Sequence, residues 1–158
     1  MFHFCEINNE NRNKVKELII QNWGSPIIIS RGRKHEVEEL SGFLLHHNGD
    51  VIGLITYCIS DNSCEIVSLN SFVENQGVGS ELIEKVIEIA KEYGCKRVWL
   101  ITTNDNIRAL RFYQKRGFDI KALHLNVIEE ARRIKPDIPM YGNDDIPILH
   151  EIEFEKKL

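Results

Sequence analysis

Residues Cys64–Tyr93, CEIVSLNSFVENQGVGSELIEKVIEIAKEY, leave the chain little choice of architecture, because a β-rich run passes through a glycine turn straight into an amphipathic helix. Ile66, Val67 and Leu69 favour a strand over Cys64–Ser71. After Gly79, the residues Leu82, Ile83, Val86, Ile87 and Ala90 recur at three and four, the spacing of one helical face. Gln76, Gly77, Val78, Gly79 and Ser80 therefore open the helix. The two glycines allow positive φ and let main-chain N–H groups come close to a ligand. The unpaired N–H groups and the positive dipole end of the helix then favour a phosphate.

Two common phosphate loops do not fit these letters. A dinucleotide fingerprint needs a third glycine where Leu82 stands, and no GxxxxGK run followed by Ser or Thr occurs. The segment instead resembles the acyl-coenzyme A loop of the GNAT superfamily of N-acetyltransferases, Gln/Arg-x-x-Gly-x-Gly/Ala. Gly77 and Gly79 match, while Glu74 stands where that family has a cation or an amide. Pyrophosphate binding is thereby left to the amides of Gln76 to Ser80. An ordinary strand-to-helix turn is the alternative reading of this segment taken alone.

The 158 residues suit one domain, spanning 1–158, with a single core. A net charge of −4 with interspersed signs disfavours nucleic acid or an anionic membrane as main partner and mildly favours a cationic amine substrate. Cys5, Cys58, Cys64 and Cys95 lie far apart, without CxxC pairs or a nearby His-rich spacing, so neither a metal site nor a disulfide framework is expected. They read as reduced cytoplasmic core residues, with no export signal and no long apolar run.

In chain order, Phe2–Ile7 reads as a strand, Asn8–Asn11 as a cap cluster, and the helix carrying Val15, Leu18 and Ile19 stops at Gly24-Ser25-Pro26. Ile27–Ile29 is a short β-branched run followed by the polar, basic stretch 30–35, which reads either as a solvated connection or as a substrate-facing loop. Gly42–His47 and Val51–Ser60 form a hairpin around Asn48-Gly49, and Asp61-Asn62-Ser63 turns into the Cys64 strand. Gly94 ends the long helix, and Arg97–Thr102 should run parallel to the Cys64 strand after a helical crossover. A second helix over Ile107–Arg116 is capped by Asn106 and closed by Gly117, with a strand over Phe118–Leu123. Asn126 is expected to cap a helix over Val127–Ile134, and Ile148–Phe154 to form the last strand.

Asn104–Phe118, NDNIRALRFYQKRGF, strongly resembles the GNAT pattern Asn-x-x-Ala-x-x-Phe/Leu-Tyr-x-x-x-Gly-Phe, with Asn106, Ala109, Phe112, Tyr113, Gly117 and Phe118 at matching spacing. The resemblance covers about Gly42 to Phe118. It implies an α/β GNAT fold: one mixed, mostly antiparallel sheet of six or seven strands, with parallel, splayed central strands flanked by helices. It also implies acetyl-CoA as cosubstrate, its pantetheine arm between the Cys64 and Arg97 strands. Ala109 would give the arm room, Asn104 and Asn106 would offer amides, and main-chain groups of Leu69 and Ser71 would pair with the pantetheine as an added strand does. Arg108 and Arg111 are the nearest cations for the nucleotide phosphates, or a solvated helix face.

Acetyl transfer needs a neutral amine, a stabilised oxyanion and a proton for the thiolate. By resemblance Tyr113 is the general acid, Glu65 the carboxylate that deprotonates the amine, and the Leu69 N–H the thioester polariser. His46, His47, His124 and His150 are bases by intrinsic pKa only. The reading is thus an N-acetyltransferase acting on a primary amine of a small molecule or peptide. It uses no metal, and a homodimer is left open. A non-catalytic acyl-CoA sensor and a dimerisation module with an empty glycine loop are the alternatives, which Glu74 keeps alive.

Overall fold

The computed structural model describes residues 1–158. Its strands are β1 (Phe2–Glu6), β2 (Ile27–Ser30), β3 (Arg33–Glu36), β4 (Ser41–His47), β5 (Asp50–Ser60), β6 (Ser63–Ser71), β7 (Arg97–Thr103), β8 (Asp119–His124) and β9 (Glu151–Lys157). The helices are α1 (Arg12–Trp23), α2 (Val78–Glu92), α3 (Ile107–Lys115) and α4 (Ile128–Ile134). Seven strands form one sheet in the order β1-β4-β5-β6-β7-β9-β8, and β2 and β3 pair only with each other. Every neighbouring pair is antiparallel except β6 and β7. The mixed sheet expected from the sequence is therefore present. No helix is long and apolar enough to cross a membrane.

Three two-residue turns set the register of the hairpins. Arg31-Gly32, Asn48-Gly49 and Asp61-Asn62 each place both central residues at positive φ, the mirror-image turn whose twist matches that of paired strands. The Asn8–Asn11 cluster caps α1 reciprocally: Asn8 Oδ1 accepts the Asn11 N–H at 3.1 Å, and Asn11 Oδ1 accepts the Asn8 N–H at 2.8 Å. Gly24, at φ 78°, donates its N–H to the Ile20 carbonyl and ends the helix.

Each sheet face carries its own core. On one face Val78, Leu82, Val86 and Ala90 of α2 pack with Tyr113, Phe118 and the fully buried Phe154. Truncating Phe154 to Ala would cost about 3–5 kcal/mol, because the rings around it cannot close the space. On the other face Val15 and Ile19 of α1 pack with Ile28 and Val37 from the β2–β3 segment and with Leu44, Leu54 and Val67 of the sheet. Lys135, just past α4, ties that segment further by donating to the Ile27 carbonyl at 3.1 Å.

Four local expectations need correction. Residues 30–35, read as a connection or a loop, complete a hairpin with Ile27–Ile29 over the α1 face, because the β-branched strand can bury Ile28 there. The last strand lies three residues later than expected, over Glu151–Lys157, since Ile148 is bound to the preceding loop through Met140. Asn126 takes φ 57° and gives its N–H to His150 Nδ1 instead of capping α4. Of the paired loop glycines only Gly77 has positive φ; the second left-handed residue is Asn75.

Candidate active site

The site begins with a defect in β6. Opposite the consecutive β5 residues Thr56 and Tyr57 stand Ser68 and Ile66, so Val67 is an extra residue, a β-bulge. A bulge bends its strand and raises the local twist. Parallel pairing of β6 with β7 runs from Ser63 opposite Arg97 to Ile66 opposite Leu100 and goes no further, although β6 continues to Ser71 and β7 to Thr103. The strands splay directly beyond the bulge. Between them lies a groove of about 530 Å³, within the range of small-molecule sites. Its β6 wall is Ile66–Leu69 with Ser71, and its β7 wall is Leu100–Thr102.

One end of the groove is the start of α2. The N–H groups of Gln76, Gly77, Val78, Gly79 and Ser80 make no hydrogen bond within the chain, and the first helical bond runs from Glu81 to the Gly77 carbonyl at 3.1 Å. Five successive free donors at a positive dipole end make an anion site by geometry alone. Gly79 serves closeness of packing here: a Cβ on it would lie 2.8 Å from the ring of Phe112. Arg116 completes this end. Its guanidinium stacks 3.5 Å from the Phe112 centroid, donates from Nε to Ser80 Oγ at 2.7 Å and lines the groove. Glu74 also lines the groove, so one carboxylate opposes that cation.

Tyr113 forms the floor on the α3 side. Its ring packs edge-on to Phe112 and Phe118 and tilted on Phe154, with centroids 5.1, 5.5 and 5.8 Å away. The residue is 8% exposed, and its hydroxyl makes no hydrogen bond within the chain and opens on the groove. Burial pushes the phenol well above its ordinary pKa, against a small opposite pull from Arg116. The group therefore stays protonated and can donate. Asn106, which lines the groove, accepts the Ala109 N–H at 3.1 Å and caps α3, and its amide nitrogen makes no hydrogen bond within the chain.

Of the expected site residues, Leu69, Ser71, Gln76, Gly77, Val78, Gly79, Asn106, Ala109 and Tyr113 line one groove. Three expected site residues do not. Asn104 spends its amide on the chain, donating to the Pro147 carbonyl and accepting from Leu149 and His150. The Ser80 side chain is held by Arg116, which leaves only its N–H to the anion site. Glu65 is 4% exposed and turned to the α1 face, where Ser30 Oγ donates to one oxygen and His35 Nε2 lies 3.4 Å from the other. A carboxylate so enclosed is not presented to an amine in the groove.

Sequence reasoning missed Trp23 and Arg116 among the groove residues. Trp23, the last residue of α1, lines the groove and fixes its indole by donating to Asn70 Oδ1 at 3.0 Å. Arg116, not Arg111, joins Arg108 as a groove cation. Its position four residues after Phe112 on one helical face was the available signal. The buried Cys64 is no nucleophile: loss of solvation, with smaller contributions from nearby Cys95, Cys58 and Glu65, pushes its thiol up to about 12.

The acetyltransferase (GNAT) family profile matches residues 8–118. The chain is 42% identical over 151 residues to YdhI of Bacillus subtilis (strain 168), an uncharacterized protein, spanning 94% of each chain. It is 41% identical over 148 residues to YxbD of the same strain, also uncharacterized, spanning 93% of each. Among solved structures, a GNAT family acetyltransferase from Elizabethkingia anophelis with acetyl-CoA bound superposes with a TM-score of 0.71 at 22% identity. That match covers 99% of this chain and 98% of the other.

Proposed function

Since this chain belongs to the GNAT family of acetyltransferases, we propose that it moves the acetyl group of acetyl-CoA to a primary amine of a small molecule or protein, by direct attack in a ternary complex. The observation that carries this reading is the single groove with free amides at one end and a protonated, unpartnered phenol on its floor. The pyrophosphate sits on the N–H groups of Gln76 to Ser80 beside Arg116, where a dianion gains most from the helix dipole. The pantetheine arm lies along β6, on the main-chain edge near Leu69 and Ser71 that β7 leaves unpaired, with Ala109 and Asn106 opposite.

The amine nitrogen attacks the thioester carbonyl, the carbon–sulfur bond breaks, and the sulfur leaves with its electron pair. Tyr113 gives its proton to that thiolate, and the proton shed by the acylated nitrogen passes through solvent in the groove to the Tyr113 phenolate, which returns the phenol to its starting state. The Leu69 N–H polarises the carbonyl as the oxyanion develops. The transfer requires no metal. Trp23 closes the α1 side, where the acceptor approaches. Nothing in this scheme requires a nucleic acid or a membrane.

The test is Tyr113→Phe, assayed by thiol release over a panel of amines. The hydroxyl makes no internal hydrogen bond, so the Phe variant keeps the packing, the fold and the coenzyme A affinity. Its kcat should fall about 10²- to 10⁴-fold, the usual size of a general-acid contribution. Near-wild-type turnover would reduce Tyr113 to a packed ring.

A further inference from the structure

On the α1 face of the sheet, away from the groove, three side chains from three strands converge. His35 comes from β3, Cys58 from β5 and Glu65 from β6, and an imidazole nitrogen, the Sγ and a carboxylate oxygen all lie within 4.8 Å of one another. Cys58 and Glu65 stand directly opposite each other in the β5–β6 ladder, a relation that holds side chains on one face together. The β2–β3 hairpin then lowers His35 onto the pair. His35 is 4% exposed, and its buried Nε2 has no hydrogen-bond partner. Buried polar atoms are rarely left so, and an orphan asks for an explanation. The Glu65 oxygen 3.4 Å away is not aligned to accept from it.

We propose that His35, Cys58 and Glu65 bind one borderline-soft divalent cation of the zinc type. An imidazole, a thiolate and a carboxylate are a ligand set that such an ion takes, and the sulfur disfavours calcium or magnesium. Tetrahedral bonds of ~2.0–2.3 Å put ligand atoms roughly 3.3–3.8 Å apart, so closing the set takes side-chain movements of about 1 Å. Ser30 Oγ, donating to the second oxygen of Glu65, orients that ligand as outer-shell partners do. The ion enters from solvent: His35 and Cys58 line one cavity of about 440 Å³, and Cys58 and Glu65 line another of about 240 Å³. The fourth position is left to water from this side. Of the nearby cations, Arg97 is engaged by Glu153 and Glu155, while the exposed Arg33 is free to swing into solvent. Binding displaces two protons, that of the Cys58 thiol and that of His35, which, against the opposite effect of burial, Cys58 and Glu65 hold on the ring up to about pH 9.

The ion has a mechanical role. A two-stranded hairpin is marginal by itself, and β2–β3 has no strand partner in the main sheet. One cation ligated by β3, β5 and β6 fastens it across the sheet face, next to the helix end that carries Trp23. It takes no part in acetyl transfer, and it holds or fails independently of the function proposed above.

The probe is cobalt(II) alone, added to chelator-treated, reduced full-length protein and followed by absorption. A single equivalent should give a thiolate-to-cobalt charge-transfer band together with the visible bands of a four-coordinate ion. Both should survive in Cys5→Ser and vanish in Cys58→Ser and in His35→Gln. Zinc should displace the cobalt and raise Tm in the wild type, but not in Cys58→Ser. Circular dichroism of the Cys58→Ser and Cys58→Ala proteins checks that they fold, and loss of the band in either folded variant suffices as support. No thiolate band in the wild type, or a band that persists without Cys58, overturns the site. The trio is then a buried His35–Glu65 ion pair. Cobalt bound without a thiolate band is the signature of surface histidines such as the facing His3 and His46, and also overturns it.

Discussion

Gly79→Ala separates what the glycine loop does for packing from what it does for binding. The added Cβ would lie 2.8 Å from Cζ and 3.2 Å from Cε1 of Phe112, so the ring must move. Phe112 is only half-buried, which puts the strain near the low end of the about 1–3 kcal/mol typical of overpacking. Ala at a helical position returns about 1 kcal/mol of propensity. The net loss of stability is about 1 kcal/mol at most, a fall of about 2–4 °C in Tm for a chain of this size. Binding should suffer more. Phe112 carries the Arg116 guanidinium on its face, and Arg116 in turn holds Ser80 beside the free amides. A displaced ring therefore misplaces a charged donor at the pyrophosphate. Losing one such hydrogen bond, worth about 1.5–3 kcal/mol, raises the Kd for coenzyme A by roughly tenfold to a hundredfold.

Gly77→Ala is the control. No atom lies within 4 Å of its Cβ, but φ of +71° costs about 1–2 kcal/mol for a residue with a side chain. It should lose as much stability as Gly79→Ala or more, while binding coenzyme A better than that variant. Differential scanning calorimetry and isothermal titration give both quantities on the same samples. A Gly79→Ala protein with wild-type Tm and wild-type affinity would refute the close-contact account of this position. Equal affinity losses in the two variants would refute the role given to Phe112.

Two further predictions concern single charges. Arg116→Gln should weaken coenzyme A binding by roughly tenfold to a hundredfold, the weight of one charge-assisted hydrogen bond, and leave pantetheine affinity unchanged; an equal loss for both ligands would show that the residue only shapes the groove. Glu151 is buried, and loss of solvation raises its pKa against the pull of Arg31 and His124. A raised carboxyl favours folding when protonated, so its contribution is complete below the ordinary carboxylate pKa and is lost as pH rises through the higher folded value. Glu151→Gln should therefore be more stable relative to wild type at neutral pH than at acid pH, by denaturant titration. A difference that is constant with pH would exclude the linkage.

Much of the scaffold was legible because its instructions are local. The alternation and turn chemistry of Gly42–Ser71, the α2 stripe from Val78 to Ala90, and Asn106 three residues before Ala109 act between near neighbours in sequence. Such patterns need only strand and helix periods to be read. The groove-lining set from Leu69 to Tyr113 was read from the resemblance that the same segments bear to the GNAT motifs, and the helical crossover between two parallel strands agrees with it. Other features depended on residues meeting across long separations, where a linear pattern carries no signal. The Val67 bulge that splays the sheet is a mismatch between two strands and belongs to neither alone. Residues 30–35 read as a connection or a loop because the surface that the hairpin covers, the α1 face, is assembled from distant strands. That hairpin decides the fate of Glu65, which looks like a strand carboxylate free to act until Ser30 and His35 enclose it. The Asn104 amide is likewise claimed by backbone more than forty residues later. Cys58 and His35 share no motif in the sequence. They meet because β5 and a hairpin are packed on one sheet face, and burial there fixes which of their polar atoms keep a partner.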